Sequence, residues 1–205
     1  MYIPQSFQVE DRNVLLKLIQ QNSFATLVTT LHGELFASHI PVIKHPTRDV
    51  LEAHIAVQNP QCASLDQGGL LIFNGPHAYI SPTLYTISPA VPTWNYTAVH
   101  VSGQLKILVG ENEIIDFMNR LVDEFEAGRN PRWTGLEPDF FEKMIRGVVC
   151  FEMAIEQIEG KFKLSQNRNE ADQKSVYQVL ECGLPHEQEV AVWMRKLGIG
   201  TEGDS

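Results

Sequence analysis

The spacing of hydrophobic positions changes several times along this chain, and each change marks an element. Val14, Leu15, Leu18 and Ile19 recur at helical spacing behind Asp11, and Asn22 closes the run, so 11–22 reads as an amphipathic helix. The period then falls to two. FATLVTT (24–30), LFASHIPVI (35–43) and VLEAHIAV (50–57), separated by a His32-Gly33 turn and an HPTRD turn, predict a three-stranded meander. Asn59-Pro60 opens a short helical turn through Leu65, since Asn caps well and Pro fits the first helical position.

LLIFNG (70–75), between Gly68-Gly69 and Gly75-Pro76, reads as a buried strand, and the proline-rich stretch 76–92 as an ordered, irregular loop. TWNYTAVHVSGQLKILV (93–109) alternates on both sides of Gly103, which predicts two strands or one bent strand. Ile114, Met118, Leu121, Val122 and Phe125 mark a second amphipathic helix within 111–126, with GRNPRWTGLEP (128–138) as its exit loop and a short helix at 139–146. GVVCFEMAIEQI (147–158) is a late strand. Val176, Val179 and Leu180, then Val190, Trp193, Met194 and Leu197, give two terminal helices. The fold class this predicts is mainly β (α+β): six or seven antiparallel strands in a small barrel with flanking helices. Residues 1–167, including helices 11–22 and 111–126, form the barrel domain, and 168–205 a helical extension.

Composition narrows the function. No stretch of 18 apolar residues and no basic-then-apolar N-terminus occurs in the 205 residues, so a soluble, cytoplasmic protein is expected, with no membrane partner. Three cysteines, Cys62, Cys150 and Cys182, without a CxxC, argue against a zinc ribbon or a disulfide framework. The formal net charge is −9, with 16 Lys/Arg and 25 Asp/Glu, and 11 and 19 of these lie after residue 110. Such an acidic half repels polyanions, so tight direct DNA binding is not expected.

The second meander hairpin gives the sharpest geometric inference. Pairing Lys44 with Asp49 across a four-residue loop sets His39 opposite His54, with Ile40, Val42, Leu51 and Ala53 on the core face. The reverse face then carries Ala37/Ala56 beside two imidazoles, a flat floor suited to a planar ligand or a second subunit, or simply two solvated histidines. The floor leads into Gln58-Asn59-Pro60-Gln61, where free backbone amides at a helical turn would accept an anion. In the acidic half, Arg129, Arg132, Lys161, Lys163 and Arg168 stand out as loop cations around Trp133 and GKFKLSQN (160–167), able to take a phosphate or remain solvated. Tyr79, Tyr85, Trp94 and Trp133 either stack on a ring or pack. Gly198, Gly200 and Gly203 satisfy G-x-G-x-x-G but follow a helix, and read as a tail.

YIPQSF (2–7), FATLVTT, ASHIPV (37–42), AHIAVQNPQ (53–61), FNGPHAYISP (73–82), VPTWNYTAVHVSG (91–103) and GKFKLSQNR (160–168) together resemble the PaiB family of FMN-binding negative transcriptional regulators, in the family's order. The resemblance implies an FMN-binding split barrel, a homodimer with FMN at the subunit interface, and negative transcriptional regulation, here without tight direct DNA binding and through a protein partner or a small molecule it modifies. A small FMN-dependent oxidoreductase of the flavin-reductase kind is the alternative. Carried onto this chain, it points to Ser38, His39, His54, Asn59 and Gln61 for the cofactor. Trp94, Trp133, Lys163, Gln166 and Asn167 join them as candidates for the heterocycle and its polar edge. No catalytic residue and no metal site is implied.

Overall fold

The computed structural model of the chain describes residues 1–131, 133 and 138–201. Its strands are β1 (Gln8–Val9), β2 (Phe24–Leu31), β3 (Glu34–Lys44), β4 (Val50–Ala56), β5 (Gly68–Ile80), β6 (Thr93–Ile107), β7 (Val148–Ala154) and β8 (Gln157–Lys163). They form one eight-stranded sheet in the order β1-β8-β6-β5-β2-β3-β4-β7, and a further β6–β7 pairing closes the run from β6 to β7 into a six-stranded ring. Helices α1 (Arg12–Gln21), α2 (Glu111–Glu126), α3 (Pro138–Ile145), α4 (Glu170–Glu181) and α5 (Pro185–Lys196) flank the strands. The class is the one expected, with eight strands where six or seven were counted.

Contacts divide the chain into two compact units: Met1–Gln21, Asn74–His100 and Glu159–Ser205 (unit 1), and Asn22–Phe73 and Val101–Ile158 (unit 2). Unit 2 holds β2, β3, β4, β7 and the ring-forming ends of β5 and β6. Its interior gathers Leu27, Ile40, Val42, Leu51, Ala53, Ile55, Leu105, Phe151 and Met153. These alternate along their strands as a half-buried sheet requires, and each large side chain contributes about 1.5–3 kcal/mol by leaving water. On the outer face of β4 and β7 a second cluster forms, in which Phe117 and Leu121 of α2 pack with Ile43, Leu108 and Cys150. Arg120 of α2 reaches past them to the fully buried Glu52 of β4, with Nη2 at 2.6 and 2.8 Å from its two carboxylate oxygens.

In unit 1, α1 and α5 cover one face of β8. Gly160 lies so close to α1 that a Cβ there would come within 2.1 Å of Leu15 Cδ2, and Phe162 meets Trp193 of α5 edge-on at 5.1 Å between ring centroids. The Asn169 side chain caps α4 by accepting from Asp172 N at 2.8 Å. The buried Asp172 carboxylate accepts from Thr86 N and Thr86 Oγ1, each at 2.6 Å, which ties the 81–92 loop to α4 and holds the Asp172 pKa below the usual carboxylate range.

Three sequence expectations change. The β3–β4 ladder pairs Val42 with Ala53, Ile43 with Glu52 and Lys44 with Leu51, a register two residues from the expected one, so His39 does not oppose His54. The cause is the turn: His45 Nδ1 accepts from Thr47 N at 3.2 Å and Arg48 N at 3.0 Å, and His45 N donates to Val50 O at 3.1 Å, so the loop is 46–49. Because the shift is two, the face assignment of every side chain survives. Second, β5 runs on through Gly75-Pro76 to Ile80, placing His77 and Tyr79 on a strand instead of in a loop. Third, 147–158 splits at Ile155-Glu156 into β7 and the start of β8, so Lys161 and Lys163 stand on a strand and not in a loop.

Candidate functional site

The β3–β4 floor expected for a flat ligand is partly roofed. His54 is half-buried beneath α2, its ring 6.2 Å from that of Phe117, and its Nδ1 is buried without a partner. Burial pushes the His54 pKa below the ordinary imidazole value, so it is a neutral side chain inside the α2 contact. His39 by contrast is exposed. Its Nδ1 lies 3.0 Å from Thr26 Oγ1, directly across the β2–β3 ladder, and its ring stacks at 6.3 Å on Phe24.

The Asn59 turn is a 3-10 turn, Pro60–Ser64, and its amides are not free. Asn59 Oδ1 accepts from Gln61 N at 2.9 Å, Asn59 O accepts from Cys62 N at 3.0 Å, and Pro60 has no N–H. The amides of Asn59, Gln61 and Cys62, where an anion was expected, are therefore already engaged within the turn. What the turn does provide is a side-chain pair: Asn59 Nδ2 donates to Ser38 Oγ at 2.9 Å, which leaves the Ser38 hydroxyl proton available, one residue from His39. Gln61 is fully buried. Its Nε2 donates to Thr29 Oγ1 at 2.9 Å and to Leu27 O and Phe36 O at 3.3 Å, with Oε1 unpartnered, so it staples the turn to β2 and β3 inside the unit.

Trp133 is exposed in unit 2, where its backbone N–H donates to Glu126 Oε2 at 3.1 Å. Arg129 closes α2 by donating from Nε to Phe125 O at 2.9 Å, and Arg132 lies outside the described residues. The other candidates belong to unit 1. Lys163 Nζ donates to Thr93 Oγ1 at 2.5 Å and to Trp94 O at 2.7 Å, which brings Lys163 and Trp94 together. Gln166 is spent on the backbone, accepting from Leu164 N at 2.6 Å and donating to Phe162 O at 2.5 Å, while Asn167 is exposed. The strand reading adds residues that the loop reading set aside. His77 and Tyr79 of β5 lie 6.0 and 5.9 Å from the Trp94 ring, and Lys161 Nζ stands 5.4 Å from the Tyr2 ring and 5.6 Å from that of Tyr96. The outward alternation of PHAYI and of GKFK was the signal for them.

Unit 2 also carries a cleft of about 420 Å³ lined by Thr29, Thr30, Leu35, Gly68, Ser102 and Glu156 among others. Among the described residues no three His, Cys, Asp or Glu side chains are grouped to hold a metal ion, and no helix is long and apolar enough to cross a membrane.

Residues 1–157 match the family described as "Putative FMN-binding domain". The chain belongs to this FMN-binding family. It is PaiB-like within it: the "Protease synthase and sporulation protein PAI 2" of Bacillus subtilis is 37% identical over 187 residues, covering 88% of this chain and 89% of that one. Two solved structures share the fold. The flavocytochrome Anf3 of Azotobacter vinelandii has a TM-score of 0.63 at 14% identity, covering 78% of this chain and 72% of its own. An FAD and heme binding protein of Mycobacterium smegmatis has a TM-score of 0.61 at 16% identity, covering 76% and 73%. The fold of this FMN-binding family member is the flavin-binding split barrel, and its family cofactor is FMN.

Proposed function

We propose that this protein is an FMN-dependent regulatory protein of the PaiB type, cytoplasmic and homodimeric, which holds the FMN phosphate at Ser38 and Asn59. The observation that carries the proposal is the Ser38–Asn59 bond in a chain whose family is defined by FMN. Ser38 has a free hydroxyl proton. Asn59 Nδ2 carries a second N–H beside it. These donors suit a phosphate monoester without a fixed cation, and FMN would supply reversible electron acceptance there. Support for a second copy comes from the face of His39, on which the β2–β3 register sets Phe24, 69% exposed, Leu35, 81% exposed, and Ala37. The net charge of −9 per chain favours regulation through a partner over tight direct DNA binding.

The test is flavin fluorescence titration with FMN and with riboflavin, which lacks the phosphate. FMN is expected to bind roughly tenfold or more tightly than riboflavin, and Ser38→Ala combined with Asn59→Ala to remove most of that difference, at about 1 kcal/mol per lost hydrogen bond. Equal affinity for the two flavins, or a double variant that keeps the preference, refutes the phosphate position. Light scattering near twice 23.1 kDa is expected, and a monomer refutes the dimer.

A further inference from the structure

The cleft of unit 2 lies on the outward face of its strands. Val28 stands opposite Leu70 of β5 and Thr30 opposite Leu35 of β3, and both alternate along β2 with the buried Leu27 and Thr29. Val28 and Leu70 are half-buried and form an aliphatic floor, which Leu35, 81% exposed, walls on one side. Gly68 borders the floor, and a Cβ there would meet nothing within 4 Å, so the space beside it is open. The resulting volume, about 420 Å³, is that of a small-molecule site.

Polar side chains also line the cleft, and they have nothing to bind. Among the described residues, none hydrogen-bonds or pairs with the hydroxyls of Thr30 and Ser102 or with the carboxylate of Glu156. The Thr29 hydroxyl is turned inward to Ser64 and Gln61 and takes no part. Glu156 alone among the described lining residues is charged. That sign selects the ligand. A phosphate or carboxylate would meet a negative charge and no cation, and Ser38, where the flavin phosphate is placed, lies on the opposite face of β3 from Leu35. A neutral apolar molecule would cover the floor and leave the carboxylate unanswered. A protonated aliphatic amine meets both demands, with N–H donors for the carboxylate and hydroxyls and an apolar body for the floor.

We propose that the unit 2 cleft binds a small aliphatic amine, its ammonium at Glu156 among the Thr30 and Ser102 hydroxyls and its apolar body on Val28, Leu35 and Leu70. The site is separate from the Ser38–Asn59 position. Leu35 also belongs to the face set out for a second copy, so the mass of the particle is followed together with binding.

Amide chemical shifts of the isotope-labelled full chain, titrated with hexylamine, 1-hexanol and hexanoate, test this. Hexylamine is expected to saturate at about 1 mM, with shifts centred on Thr30, Leu35, Gly68 and Ser102. Hexanol should bind roughly threefold or more weakly, and hexanoate should not saturate. Glu156→Gln should weaken hexylamine by roughly threefold or more, to the level of hexanol. Gly68→Leu, whose side chain enters the open space, should abolish saturation, and both variants should keep the native melting temperature and mass. Glu189→Gln, an exposed carboxylate of unit 1, should change nothing. The Ser38→Ala/Asn59→Ala variant should keep its hexylamine affinity whatever happens to FMN. The proposal is overturned if hexylamine fails to saturate or shifts other residues, if hexanol binds as well, or if either cleft variant keeps full affinity. It is also overturned if FMN displaces hexylamine, which would make the cleft part of the flavin site. A change of mass on adding hexylamine or in Gly68→Leu overturns it too, and assigns the cleft to the second copy.

Discussion

Arg120→Met is the substitution whose cost the structure sets most directly. Glu52 is fully buried, and its carboxylate is held by Arg120 Nη2 at 2.6 and 2.8 Å, with Arg48 Nη2 more distant at 3.3 Å. Methionine keeps the packing of the arginine stem and removes the guanidinium, so the measured loss is that of leaving a buried charge with a weaker partner. Breaking such a pair costs about 3–5 kcal/mol, and the remaining Arg48 argues for the lower end, about 3 kcal/mol. With an m-value of about 2 kcal/mol per molar urea, the unfolding midpoint should fall by roughly 1.5 M. The control is Glu52→Gln combined with Arg120→Met, which removes the stranded charge. The double variant should be more stable than the sum of the single losses by about 1 kcal/mol or more. A single-variant loss below about 1 kcal/mol would place the pair with surface ion pairs and refute the reasoning.

Two further outcomes follow from the buried titratable groups. Burial lowers the folded-state pKa of His54 beneath its ordinary 6.5, so the unfolded chain binds the proton more readily; the stability is fully present above pH 6.5 and is lost as pH falls below it toward the folded value. Urea midpoints between pH 7.5 and 5.5 should drop for the native chain and drop less for His54→Leu, and identical slopes would refute the assignment. Native thiol titration with Ellman's reagent should modify exposed Cys182 first. Cys62, whose pKa burial raises, should follow more slowly, and buried Cys150, raised to about 11, should react only after denaturation. Fast native labelling of Cys150 would contradict the packing of α2.

The class and most elements were legible because strand alternation and helical spacing are local. The inward set Ile40, Val42, Leu51 and Ala53 was read correctly even though the register was not, since a shift of two preserves every face. The register itself depends on His45 accepting two turn amides, a role that sequence assigns more readily to Asn or Asp. Pro76 was taken as the end of a strand. β5 continues through it because Gly75 makes room: a Cβ there would come within 2.1 Å of Thr97 Oγ1 on the neighbouring strand. The site was legible as residue types and not as roles. Gln61 staples its turn to β2, and His54 lies beneath α2, because burial by a helix distant in sequence leaves no trace in the hairpin that carries His54.

The closing β6–β7 ladder, with Leu105, Lys106 and Ile107 against Met153, Glu152 and Phe151, has a consequence for how the protein fares in a crowded cell. An open sheet offers its last strand to any extended chain that comes near, and such templating is how β-rich proteins begin to aggregate. The ring has no last strand. In the outward run, the two-residue β1, paired through Gln8 and Val9, covers Lys161 and Gly160 of β8. At that end the resistance of this chain to self-templating rests on a cover of two residues.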